Sequence, residues 1–227
     1  MKYLLMVLIF TTFLFPDDSR RLRAGSRVDQ IDVRLMIDGK NLDVEPDELV
    51  ISVTHDQAKG SQAEVRFRSK NSGGSNPEPA FIGSRIEILA GYSQSYVSLF
   101  SGRVRAVNIS SGGSDQLASM LKCRRPGSGK KSMAKTGKPL FELIYGSNVD
   151  ALDLTYTRQG VIKGSLLIQG TGDIKPGHRL SLKGFPSGFN RKVTVIGTKH
   201  TLSPDSWTTR LTVKQIKAAS LEAGPEL

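Results

Sequence analysis

The chain has 227 residues, 38% of them hydrophobic and 23% charged, which is enough for one sizeable core or two small ones and argues against wholesale disorder. Its single cysteine, Cys123, excludes an internal disulfide framework. The formal net charge of +11 points to acidic or polyanionic partners and says nothing about fold.

At the N-terminus, Lys2 and an apolar run from Tyr3 to Phe15 resemble a signal peptide. The run is too short for a stable membrane span, which needs about 20 residues. Pro16, Asp17 and Asp18 offer no small-x-small cleavage site, and the first passable one lies near Ala24 and Ser26, beyond three arginines. Residues 1–27 therefore read as an apolar arm or a signal segment, with export, a retained arm packed in an assembly and a misplaced start all open.

From Ile31 the period-two pattern of half-buried strands sets in. Ile31, Val33, Leu35 and Ile37 alternate with Asp32, Arg34 and Met36, and Asp38-Gly39 supplies a hairpin turn. Ala63, Val65 and Phe67 alternate with Glu64, Arg66 and Arg68, and Ile86, Ile88 and Ala90 face away from Arg85 and Glu87. Tyr96–Ile109 and Gln116–Cys123 are two further strands, joined across a serine- and glycine-rich turn. Residues 124–139 form a basic Gly/Lys-rich linker with almost nothing to bury. Strands resume at Leu140–Tyr145, Leu152–Tyr156, Val161–Gln169 and Arg179–Leu182, and a last hairpin turns around Pro204. Its second strand puts Trp207, Thr209, Leu211 and Val213 on one side and Thr208, Arg210, Thr212 and Lys214 on the other. The expected architecture is all-β: one block at 28–123, a second at 140–217, and a tail at 218–227, suggesting two small barrels or sandwiches.

Chemistry-bearing residues are thin. The three histidines, His55, His178 and His200, lack the close spacing of metal ligands, and no cysteine cluster assists them. Gly127–Ser132 lacks the first glycine of a phosphate-binding loop, and Lys131 stands where Ser or Thr should hold the metal ion. No G-x-S-x-G elbow and no pair of buried carboxylates is visible. The reading is of a protein that is not an enzyme and needs no cofactor or metal. The basic stretch carries Lys122, Arg124, Arg125, Lys130, Lys131, Lys135 and Lys138 with no acidic residue among them, and reads as a solvated loop, a polyanion site or a contact surface in an assembly. It contains no aromatic residue on which bases could stack, which counts against nucleic acid as a partner.

Two blocks carry a resemblance. The first runs from Phe81–Gly83 through an isoleucine-rich strand, Gly91-Tyr92, Leu99-Phe100-Ser101-Gly102 and a Ser/Gly turn to a strand ending at Cys123. The second holds Gly164, Gly170, the Ile174–Pro176–Gly177 turn, Leu180, Gly184, Phe189-Asn190, Val193, Val195, His200, and Trp207 with Thr209. With Glu142–Gln159 leading into the second, they resemble the hub proteins of contractile injection machines, the phage late control gene D family and the VgrG spike proteins, over roughly residues 31–215. The resemblance implies two tandem tube-like barrels per subunit and a homotrimer closing as a pseudo-sixfold ring. It also implies a hub joining a sixfold tail tube protein to a separate threefold spike or tip protein, assembled in the cytoplasm and then carried in a phage tail or injection particle. Trp207 becomes a core or interface anchor, His200 a structural residue of the turn, and Phe100, Gly102, Phe189 and Asn190 further structural or interface positions. Where larger family members carry a helical insertion this chain has only residues 124–139, and no needle follows Val213, so a reduced hub without its own spike is expected. The runner-up is a basic β-barrel module that binds nucleic acid or another polyanion.

Overall fold

The computed structural model describes residues 19–21, 31–42, 44, 49–69, 82–92, 95–111, 117–125, 140–157 and 161–215. Every regular element among them is a strand, as the period-two patterns require, so the protein is all-β. No helix of the described residues is long and apolar enough to cross a membrane.

The first half contains β1 (Ser19–Arg21), β2 (Ile31–Ile37), β3 (Lys40–Asn41), β4 (Val50–Asp56), β5 (Gly60–Ser69), β6 (Arg85–Tyr92), β7 (Ser95–Ser111) and β8 (Leu117–Arg125). The second contains β9 (Leu140–Ile144), β10 (Ala151–Tyr156), β11 (Ile162–Gln169), β12 (Arg179–Lys183), β13 (Lys192–Ser203) and β14 (Ser206–Lys214). The Asp38-Gly39 turn has positive φ at both residues, 48° and 81°, the mirror-image conformation that suits the twist of a tight hairpin. Expected alternations become buried rows: Ala63, Val65 and Phe67; Ile86, Ile88 and Ala90; Trp207, Thr209, Leu211 and Val213. The sequence patterns do not single out β4, although Ile51 and Val53 in it are fully buried.

All strands join one sheet, and within it the same order occurs twice. In the first half neighbours run β6-β7-β8-β5-β4, and in the second β12-β13-β14-β11-β10, every pairing antiparallel. Even the irregularities correspond: the β7–β8 ladder is bulged between Val104 and Ala106, and the β13–β14 ladder between Val195 and Gly197. The halves differ at one flank, where β2 lies antiparallel to β6 but β9 lies parallel to β12.

Two apolar clusters fill the interior. One gathers the first half around Ile51, Val65, Ile86, Ile88, Val104 and Leu121, and the other gathers the second around Leu143, Ile162, Leu166, Leu180, Val195 and Leu211. A seam joins the halves: β4 pairs along the later part of β13, from Asp56 opposite Gly197 to Ile51 opposite Leu202. The tip of the β13–β14 hairpin thereby enters the first cluster, to which Leu202 and Trp207 belong.

Candidate functional site

The seam gathers the residues with the most chemical character. Trp207, near the start of β14, stacks on Tyr92 at the end of β6, with centroids 5.3 Å apart and planes 20° apart. His200 on β13 is 6.5 Å from the indole and meets His55 on β4 edge-on at 5.7 Å. His200 is 2% exposed, and its Nδ1 shares a 3.0 Å hydrogen bond with the Thr209 hydroxyl, which accepts from the Thr171 N–H at 3.2 Å. His55 Nδ1 is hydrogen-bonded to Ser61 Oγ at 2.8 Å. Among the described residues the Trp207 indole N–H has no acceptor.

This cluster is built to hold two halves together. Burial pushes the His200 imidazole down to about 3, with His55 beside it acting in the same direction, so His200 is neutral across the physiological range. Burial likewise lowers His55, against a raising backbone interaction at Leu99. Cys123 is buried and its thiol is pushed up to about 12 by desolvation, which withholds the thiolate a nucleophile needs. No group of three or more His, Cys, Asp or Glu side chains among the described residues is placed to hold a metal ion.

His200 stands within β13, three residues before Ser203 where the strand ends, and is a core residue of the seam rather than part of the turn itself. Sequence spacing could not have paired it with His55, because the two meet only across the β4–β13 ladder. Of the resemblance-derived positions, Trp207 and His200 come together here. Phe100 and Gly102 lie on β7, where a β-carbon on Gly102 would fall 2.5 Å from Cζ of the Phe100 ring. Phe189 and Asn190 sit apart, in the loop after β12. Asn190 Oδ1 accepts from the Phe185 N–H at 2.9 Å, and its Nδ2 donates to the Phe185 carbonyl at 2.8 Å, which closes that loop. Phe189 packs edge-on against Tyr156 at 6.3 Å.

The basic segment divides. Lys122, Arg124 and Arg125 are strand residues of β8, because the ladder with β5 continues through Gln62 opposite Arg124 and Ser61 opposite Arg125. Lys130, Lys131, Lys135 and Lys138 lie outside the described residues. On the solvent face Arg124 is directly opposite Arg103 of β7, which is directly opposite Arg85 of β6. Arg103 donates to the Gly83 carbonyl at 2.8 Å. Arg105, displaced by the bulge, joins Gln62, Lys122, Arg124 and Cys123 around a cleft of about 580 Å³. The cross-strand arginines were not legible as a row, since sequence shows only single basic residues on separate strands.

No family model matches the sequence, and no curated protein sequence matches it. Solved structures share its fold. A tail protein from Neisseria meningitidis MC58 superposes with a TM-score of 0.56 at 9% identity, over 82% of this chain and 96% of its own. The 43 kDa tail protein of prophage MuSo2 from Shewanella oneidensis gives a TM-score of 0.61 at 8% identity, over 81% of this chain and 98% of its own. An Escherichia coli component of the type VI secretion system, itself structurally similar to phage T4 tail proteins gp27 and gp5, gives 0.50 at 11% identity, over 79% of this chain and 76% of its own. At these identities the likeness is one of fold.

Proposed function

We propose that this chain is a structural subunit of a phage-type tail or contractile injection particle, acting as a hub of the late control gene D and VgrG kind. Three copies would close as a ring, each contributing two tube-like barrels, one per half of the chain. The pseudo-sixfold face would meet a tail tube protein and the threefold face a separate spike or tip protein. Assembly would take place in the cytoplasm, with the finished ring carried in the particle.

The observation that carries this reading is the doubled strand order, β6-β7-β8-β5-β4 and β12-β13-β14-β11-β10. A chain holding two like units can present six units from three copies, which is how a threefold object can match a sixfold one. The shared fold with tail proteins supports it. The seam chemistry agrees, since its histidines are neutral and packed in an apolar junction.

The test is the particle mass of nuclease-treated protein by sedimentation velocity at moderate salt, followed by imaging. A closed particle of three times the 24.7 kDa chain mass, with six lobes in projection, is the expected result. A monomer at all concentrations overturns the reading. A monomer that takes up nucleic acid, with affinity falling steeply as salt rises, supports the second reading of a polyanion-binding module, which the row Arg85, Arg103 and Arg124 favours.

A further inference from the structure

The internal repeat leaves one seam unmade. The two halves can be aligned strand by strand from their ladders. Ala63 is opposite Cys123 as Gly164 is opposite Val213, and Val50 is opposite Arg66 as Ala151 is opposite Leu167. The bulges align Val104 with Val195 and Ala106 with Gly197. By these equivalences β4 corresponds to β10, and the later part of β7, Ala106 to Ser111, corresponds to Gly197 to Leu202 of β13.

Within the chain, β4 pairs with that part of β13. The corresponding pair, β10 and the later part of β7, is not formed within the chain. Among the described residues β10 pairs only with β11, so one of its edges is open. The β6–β7 ladder ends at Arg103 opposite Arg85, and among the described residues the far edge of β7 beyond the contacts of Val104 is open too. Two open edges of matching length remain.

We infer that β10 of one copy pairs antiparallel with the later part of β7 of the next copy, repeating between chains the β4–β13 seam found within each. The register follows from the equivalence: Val107 opposite Tyr156, Ile109 opposite Leu154, and Ser111 opposite Leu152. This rests on the ring reading above and names the surfaces that close the ring.

Side-chain exposure supplies the independent argument. Three of the six exposed large apolar residues among those described lie on these two strands: Ile109 at 49%, Leu152 at 39% and Tyr156 at 46%. All three point to the interior side. Ile109 is opposite buried Ser119, Leu152 is opposite buried Leu166, and Tyr156 is opposite buried Ile162. Their counterparts in the internal seam include Ile51, 0% exposed, in place of Leu152, and His200, 2% exposed, in place of Ile109. Apolar residues that face a core yet remain wet, on an unpaired edge, are what a missing neighbouring strand leaves behind. The occupant is a second copy because each strand's required partner is the other strand of the same chain type. The contact is head-to-tail, so it propagates until a ring closes.

Oxidative cross-linking tests this in the full chain with Cys123→Ala. Cysteines at Ile109 and Leu154 face each other across the inferred ladder, at the separation of directly opposed residues. A chain carrying both Ile109→Cys and Leu154→Cys gives a covalent ladder ending in a closed species. Each single variant alone gives none, and a mixture of the two gives dimers. The pair Asn108→Cys with Leu154→Cys cross-links at least about tenfold less, because a one-residue slip turns the side chain to the other face. Cross-linking of either single variant with itself overturns the head-to-tail seam. An oligomeric particle that shows no cross-link overturns the seam alone, whereas a wild-type chain that is monomeric throughout overturns both the seam and the ring. Should the double variant fold poorly, Ile109→Glu decides: it keeps the melting temperature of the isolated subunit and loses the oligomer, and an intact oligomer overturns the inference.

Discussion

The indole of Trp207 fills the space that a side chain on Gly170 would need. A β-carbon on Gly170 would lie 2.0 Å from Cγ and 2.2 Å from Cδ2 of the indole, and the Gly170 N–H donates to the Trp207 carbonyl at 2.7 Å. Backbone and ring are thus locked together where the hairpin tip enters the first core. Gly170→Ala forces the indole or the segment after β11 to move, and it should cost about 1–3 kcal/mol, the usual range for overpacking. Chemical denaturation checks this; an unchanged midpoint would show that the indole has room to shift.

Trp207 anchors the tip by volume rather than by hydrogen bonding, since its N–H has no acceptor among the described residues. Trp207→Ala should therefore cost about 3–5 kcal/mol. Trp207→Phe should cost clearly less, because it keeps most of the stacking on Tyr92 and removes a buried unpaired donor. Equal losses in the two variants would indicate that the N–H is satisfied after all.

His200 makes stability depend on pH in a defined direction. Its folded value is lowered to about 3 from an ordinary 6.5, so at intermediate pH the unfolded chain binds the extra proton. The His200 contribution is fully present above about 6.5 and is lost progressively as pH falls toward 3. His55, lowered for the same main reason, adds to the trend. The melting temperature should fall on acidification through this window, and more steeply in the wild type than in His200→Gln, measured as paired melts from pH 7.5 to 4. Parallel curves would remove His200 as the cause.

Arg124, Arg103 and Arg85 occupy directly opposed positions on three neighbouring strands, an arrangement that costs the isolated subunit stability. Arg124→Gln should stabilise the fold by about 0.2–1 kcal/mol at low salt, and the gain should shrink as salt screens the repulsion. Thermal melts at two ionic strengths check it. A loss of stability that salt leaves unchanged would mean that Arg124 packs rather than repels.

Most of the fold was legible because strands announce themselves locally. Alternation such as Ile86–Ile88–Ala90 against Arg85–Glu87 reflects one wet and one dry face, and that is a property of consecutive residues. β4 escaped because its signal is short: within it only Ile51 and Val53 face the core before His55. Trp207 was legible as an anchor, but its contacts with Tyr92 and Gly170 were not, since each comes from a distant part of the chain. Arg124 and Arg125 read as loop because composition there is basic and glycine-rich, whereas the ladder with Gln62 and Ser61 holds them in a strand.

The sequence by itself determined that this protein is all-β, how the alternating faces are assigned, and where the Asp38-Gly39 and Pro204 turns fall, because each of these is decided by residues within a few positions of one another. Only the tertiary structure decided that the two halves repeat one strand order, that β4 and β13 join them, and that His200 meets His55. Those are pairings of strands far apart in the chain. A strand's pattern fixes which face is dry but carries no address for its neighbour, and that choice is made by bulge position, register and the shape of the shared core.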